Sequence, residues 1–169
     1  MARRHSSLVP LSHDHHHGLA LALRLRQGRE ALLNDGWTHD RFEQARRVAD
    51  FYARELVPHF HAEEAVLFPA MRSLVPSSQS LIGDLEQQHR EIARLVVNVA
   101  KEKDPAALDA ILTALGTILE GHIRTEERSL FPLYEESVTE DEKARVGRDM
   151  ELLERAAHGS SPEGRDANR

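Results

Sequence analysis

Two segments of the chain set a histidine four residues ahead of a glutamate: His59 with Glu63, and His122 with Glu126. On a helix of 3.6 residues per turn such a pair shares one face, so an imidazole nitrogen and a carboxylate oxygen can reach the same cation. The two segments are copies of one another. His59-Phe60-His61-Ala62-Glu63-Glu64-Ala65-Val66-Leu67-Phe68-Pro69 returns 63 residues later as His122-Ile123-Arg124-Thr125-Glu126-Glu127-Arg128-Ser129-Leu130-Phe131-Pro132, with six of eleven positions identical. A repeat at that period points to a duplicated supersecondary unit. In both copies Leu and Phe supply apolar cover beyond the glutamates, and a proline then ends or bends the segment.

Two further histidines fall on apolar stripes. His89 is followed by Ile92, Leu95 and Val96 at helical spacing and points at a core. His16 has Leu19, Ala22 and Leu23 at the same offsets and is assigned the equivalent place, with His15 as second choice. The expected set is therefore His16, His59, Glu63, His89, His122 and Glu126. Six side chains are too many for a structural zinc, which takes four, and bundle interiors commonly hold paired metals, so two ions are expected.

The chain has no cysteine, which excludes disulfides, thiolate zinc sites, iron–sulfur clusters and a cysteine nucleophile. With imidazole and carboxylate as donors, non-haem iron is the natural occupant, and Mn or Zn stay open. Glu63 and Glu126, one from each copy, would bridge the ions, with oxide, hydroxide or water between them. Glu64 and Glu127 read as outward charged residues, and His5, His13, His17, His39, His61 and His158 as solvent-facing. Glu55 and Tyr52, four and seven residues before His59, are either outer partners that orient it or a surface and a core residue.

Positioning these groups requires helices. Leu and Ala are frequent, aromatics make up 5%, and Val and Ile rarely alternate with polar residues. The pattern predicts a first helix over 13–34, capped by Ser12 or Asp14 and stopped at Asn34-Asp35-Gly36, after a loose lead-in over 1–11. A second runs from a Thr38 cap to about Ser73, bent at Pro58 and Pro69. A third follows Pro76-Ser77-Ser78 and ends near Lys103. Asp104-Pro105 opens a fourth, which reaches about Tyr134. Thr139 and Glu142 form a capping box for a shorter fifth that ends near Ala157. The expected fold is all-α: an antiparallel up-down four-helix bundle over 12–157 with the extra C-terminal helix packed outside, and a disordered tail over 158–169.

The net charge of −6, from 22 basic and 28 acidic residues mixed along the chain, suggests no nucleic-acid surface. Arg3 and Arg4 are followed by no apolar signal core, and no run of eighteen apolar residues occurs, so no membrane contact and a cytoplasmic location are expected.

The order His16, then His59 with Glu63, then His89, then His122 with Glu126 resembles the hemerythrin-like family, in particular its His-His/Glu cation-binding branch, over roughly residues 12–135. Ferritin-like di-iron bundles instead use Glu-x-x-His, an order absent from these segments. Two departures separate the chain from oxygen-carrying hemerythrins. Those have a His-x-x-x-His pair on the third helix, where His89 is followed at +4 by Ala93, and an Asp five residues after the last-helix His, where this chain has Glu127. The resemblance implies a di-iron protein whose ligand is a small diatomic molecule or peroxide. One iron short of an imidazole suits reactions with dioxygen, hydrogen peroxide or nitric oxide, including catalase- or peroxidase-like turnover, better than reversible oxygen carriage. The alternative is an iron- or oxygen-sensing or iron-handling module without turnover.

Overall fold

The computed structural model describes residues 4–27 and 37–159, and every regular element among them is helical. A 3-10 turn, Ser6–Leu8, leads into α1, Val9–Gln27. A continuous helical run over residues 41–74 forms α2, and a second 3-10 turn, Pro76–Ser78, leads into α3, Gln79–Lys101. Then follow α4, Pro105–Ser137, and α5, Glu140–Gly159. The expected stop at Asn34-Asp35-Gly36 and the tail beyond Gly159 lie outside the described residues.

The caps explain most boundaries. Asp104 Oδ2 accepts from the Ala107 amide at 2.8 Å, with Pro105 in the first helical position, as the sequence implies. The amide of Glu142 donates to Thr139 Oγ1 at 3.4 Å, while the Glu142 carboxylate turns to Arg145, so only half of the expected box forms. Two starts differ from expectation. The cap of α2 is Asp40, whose Oδ1 accepts from Phe42, and Thr38 instead receives the Asp40 amide. Residues 4–8 are not a loose lead-in: the Ser7 amide donates to His5 Nδ1, and Leu8 is fully buried. The short polar side chains of this stretch form a cap that starts α1 four residues early.

Three turns of π-helix interrupt the α-helices, at Tyr52–Leu56 and Glu63–Leu67 in α2 and at Glu126–Leu130 in α4. Each is followed at the second position by a proline: Pro58, Pro69 and Pro132. A proline inside a helix has no N–H to donate and its ring crowds the carbonyl four residues back. Adding one residue to the preceding turn relieves that clash without breaking the helix. The bends expected at Pro58 and Pro69 therefore take this form, and the duplicated segment carries its π turn in both copies.

Apolar side chains gather in two clusters. One joins Leu21 and Leu25 of α1, Val48 and Leu56 of α2, Ile92 and Val99 of α3, and Leu108 to Ile123 of α4. The other joins Leu8 and Leu11, Leu67 to Val75, Ile82 and Leu85, Leu130 to Tyr134, and Val146 and Met150 of α5. In α1 and α3 the buried histidine falls between the residues of one cluster and those of the other, and in α2 and α4 the His-Glu pair stands at the same junction, interleaved with Phe60 and Ala62 or with Ile123. A polar layer is thus enclosed between two apolar ones. Helices α1 and α4 cross closely: a Cβ on Gly116 would stand 2.7 Å from the Ala22 carbonyl oxygen. Helix α4 is long and apolar enough by composition to span a membrane, yet Leu108, Leu112, Leu115, Leu119 and Ile123 are all buried in the protein's own core.

Candidate metal centre

Six side chains from four helices converge in the polar layer: His15, His59, Glu63, His89, His122 and Glu126, none more than 5% exposed. Five of these are the expected ones. The sixth is a correction, because His15 is buried and His16 faces solvent. The inward stripe of α1 runs Leu11, His15, Gly18, Ala22, Leu25, and the apolar residues at helical spacing from His16 include Leu23, which is 52% exposed. Gly18 hid the true phase. It carries no apolar side chain, yet it is the point where Ile123 presses on α1, its Cδ1 lying 2.6 Å from where a Cβ would be.

The six groups form two sets of four, His15, His59, Glu63 and Glu126 on one side and Glu63, His89, His122 and Glu126 on the other. Both glutamates belong to both sets. His15 Nε2 lies 3.2 Å from Glu126 Oε2, and His59 Nε2 lies 3.3 Å from Glu63 Oε1. His89 Nε2 stands 3.3 Å from Glu63 Oε2, and His122 Nε2 the same distance from Glu126 Oε2. These are ion-pair separations without hydrogen-bond alignment, so all four carboxylate oxygens are buried with no donor. A buried carboxylate without hydrogen-bond donors is penalised by several kcal/mol, whereas metal ligation at such a site is worth on the order of 10 kcal/mol. The orphaned oxygens therefore fit cations.

The outer nitrogens are all engaged, which fixes the rings. The Nδ1–H groups of His15, His59 and His89 donate to Glu127 Oε1 at 2.7 Å, Asp14 Oδ2 at 3.1 Å and Glu64 Oε1 at 2.7 Å. His122 donates to the amide oxygen of Gln88 at 3.0 Å. Each imidazole is thereby turned with Nε2 inward, the tautomer a metal ligand needs. Glu64 and Glu127 are not merely outward charges, as the sequence suggested. The signal was the Glu-Glu doublet itself, kept in both copies: its first member faces the centre and its second holds the histidine of a neighbouring helix. Glu55 and Tyr52 hydrogen-bond no ligand, and Glu55 instead faces His17. Aromatic rings complete the support, with Phe131 stacked on His15 at 5.4 Å and Phe60 and Phe68 stacked on His89 at 3.8 and 5.7 Å between centroids.

The electrostatics are those of a site that competes for protons. Burial and the charge of Glu63 push the Glu126 carboxyl well above the usual range. Burial acts on Glu63 in the same direction, but the facing His59 overcomes it and holds that carboxyl low. His59 is pushed up to about 10 because Glu63, Asp14 and Glu126 outweigh its desolvation. His122 is lowered to about 3, by burial first and, against the pull of Glu63, by the neighbouring imidazoles. Burial would raise Glu127 too, but hydrogen bonds from His15 and Ser12 and the charge of Arg4 hold it at about 2. Cations entering this centre replace protons, so their binding releases them.

A small cavity of about 10 Å³ borders the centre, lined by His15, His59 and His122 and by Gly18, Phe51, Leu56, Phe60, Leu119 and Ile123, with Asp14 and Glu55 at its rim. That is room for about one water-sized molecule.

The family model described as "Hemerythrin HHE cation binding domain" matches residues 8–134. No curated protein and no solved structure gives a significant match.

Proposed function

This chain belongs to the hemerythrin HHE cation-binding domain family, and from that premise we propose that it is a non-haem di-iron protein that binds or turns over dioxygen, hydrogen peroxide or nitric oxide. The observation that carries the reading is the sharing of Glu63 and Glu126 by two four-ligand sets. One ion would use one set, and a second would leave the carboxylates as bridges. Each ion would draw two imidazoles and two carboxylate oxygens from the protein, a set of nitrogen and oxygen donors that suits iron and stays short of six ligands. An antiparallel arrangement of α1 to α4 supports the reading. The C-terminal parts of α1 and α3 share one apolar cluster with the N-terminal parts of α2 and α4, and the connections 75–78 and 102–104 are short.

The chain's own residues prepare the site in three ways. Glu127, Asp14, Glu64 and Gln88 hold the imidazoles by Nδ1, so Nε2 is free for a cation. Phe60, Phe68 and Phe131 fix the ring planes and keep bulk water off two of them. The mostly apolar cavity admits a diatomic or peroxide and excludes larger substrates by size. Iron, when bound, supplies the Fe(II)/Fe(III) change that small oxidants require.

Metal content by elemental analysis with an optical spectrum in air tests the reading. About two irons per chain are expected, and one zinc with a featureless spectrum would overturn it. Steady-state consumption of peroxide or nitric oxide by the iron-loaded protein then separates turnover from a second reading, iron or oxygen sensing. That second reading draws on the fact that the ligands tie four helices together, so occupancy and packing are linked.

A further inference from the structure

We propose that His13, His17 and Glu55 form an outer capture site for a divalent transition-metal cation at the rim of the cavity that leads to the buried centre. His13 and His17 stand one turn apart on the solvent face of α1, a spacing that lets two imidazoles take one ion. Their rings meet edge to face with 5.2 Å between centroids. His17 Nδ1 lies 3.8 Å from Glu55 Oε2, which α2 presents from its first π turn. Both of these side chains are about half exposed, 53% and 44%, and can turn together onto one ion. Two imidazoles and one carboxylate select borderline cations such as Fe(II), Zn(II) or Ni(II) over Mg(II) or Ca(II).

The position gives the site its use. Glu55 and Asp14 are the charged groups at the rim of the cavity that borders His15, His59 and His122. Asp14 Oδ2 is hydrogen-bonded to His59 Nδ1. A cation held at the outer site is therefore one carboxylate away from an inner ligand, and this entry role rests on the metal-centre reading above. His16 is the internal control: it is exposed on the same helix, with Ser12 and Ala20 four residues away on either side, and it is His17 rather than His16 that stands beside Glu55.

Zinc titrated into the iron-loaded protein and counted by elemental analysis tests the site. Wild type should take one equivalent more than H13A/H17A, His16→Ala should match wild type, and Glu55→Gln should weaken that equivalent about tenfold, the scale of losing a supporting carboxylate at a metal site. Uptake of Fe(II) by the full chain after chelation tests the role: the double variant should reach the wild-type iron content at a severalfold slower rate. Equal zinc equivalents in wild type and the double variant would overturn the site, and equal uptake rates would overturn the entry role. The zinc difference is read between two proteins with the same inner ligands, so it stands or falls whether or not the buried centre holds iron.

Discussion

The two copies of the duplicated segment do the same work with different support. In each, the histidine and the first glutamate face the centre, the second glutamate holds the histidine of another helix, and the phenylalanine after the π turn stacks on that same histidine. Glu64 and Phe68 thus serve His89, and Glu127 and Phe131 serve His15. The difference lies around them. Glu127 also receives Ser12 at 2.6 Å and is bonded by Arg4, which reaches on to Glu135 and lies over the Phe131 ring. Glu64 has 49% of its side chain exposed and no comparable brace. The outer partner of His59 is a carboxylate, and that of His122 is a neutral amide. The repeat accounts for four of the six converging groups; its surroundings make the two halves unequal.

The largest effect should come from the part of the comparison that is symmetric. Glu63→Gln and Glu126→Gln each remove a member of both ligand sets, so each should reduce iron from about two per chain to near zero. In the metal-free protein Glu126→Gln replaces a carboxyl that burial keeps protonated and should leave the melting temperature near that of metal-free wild type, whereas Glu63→Gln takes the facing charge from His59 and should lower it. Loss of only one iron from either variant would show that the sets are not shared.

Next comes the choice between neighbours on α1. His15→Ala should lower iron loading sharply and His16→Ala should leave it unchanged, as measured by elemental analysis. Equal loading in both would place α1 in the wrong phase. Smaller again is the contrast between the braces: Glu127→Gln and Glu64→Gln should each weaken iron binding by about 10- to 100-fold, with Glu127→Gln the more severe because Ser12 and Arg4 lose their partner with it. A larger loss from Glu64→Gln would reverse the ranking of the two halves. The smallest effect is expected from Gln88→Glu, which gives His122 the anionic partner the other three imidazoles have. It should make His122 a stronger donor and lower the iron reduction potential, and an unchanged potential would mean that the amide is no real asymmetry.

The helical class, the bends at prolines and five of six converging side chains were legible because they follow from helical periodicity and from a partial repeat that keeps the His, Glu and Pro positions. His16 misled because helical phase was judged from hydropathy alone, and Gly18, which packs against Ile123 through the absence of a side chain, contributes nothing to hydropathy. The roles of Glu64 and Glu127 were hidden for another reason. A charged residue one position past a buried ligand reads as solvent-facing, and only the approach of α3 to α2 and of α1 to α4 turns it into a partner for His89 or His15. The same holds for residues 4–8, whose order depends on Tyr134 and Glu135, far along the chain.

Glu126 belongs to both ligand sets and is the last of the six groups in the chain. A nascent polypeptide emerging from the ribosome therefore cannot assemble either complete set until α4 has been synthesised well past its midpoint. A translation product truncated ahead of that residue carries neither set in full, so a cation needing either whole set has no place in it.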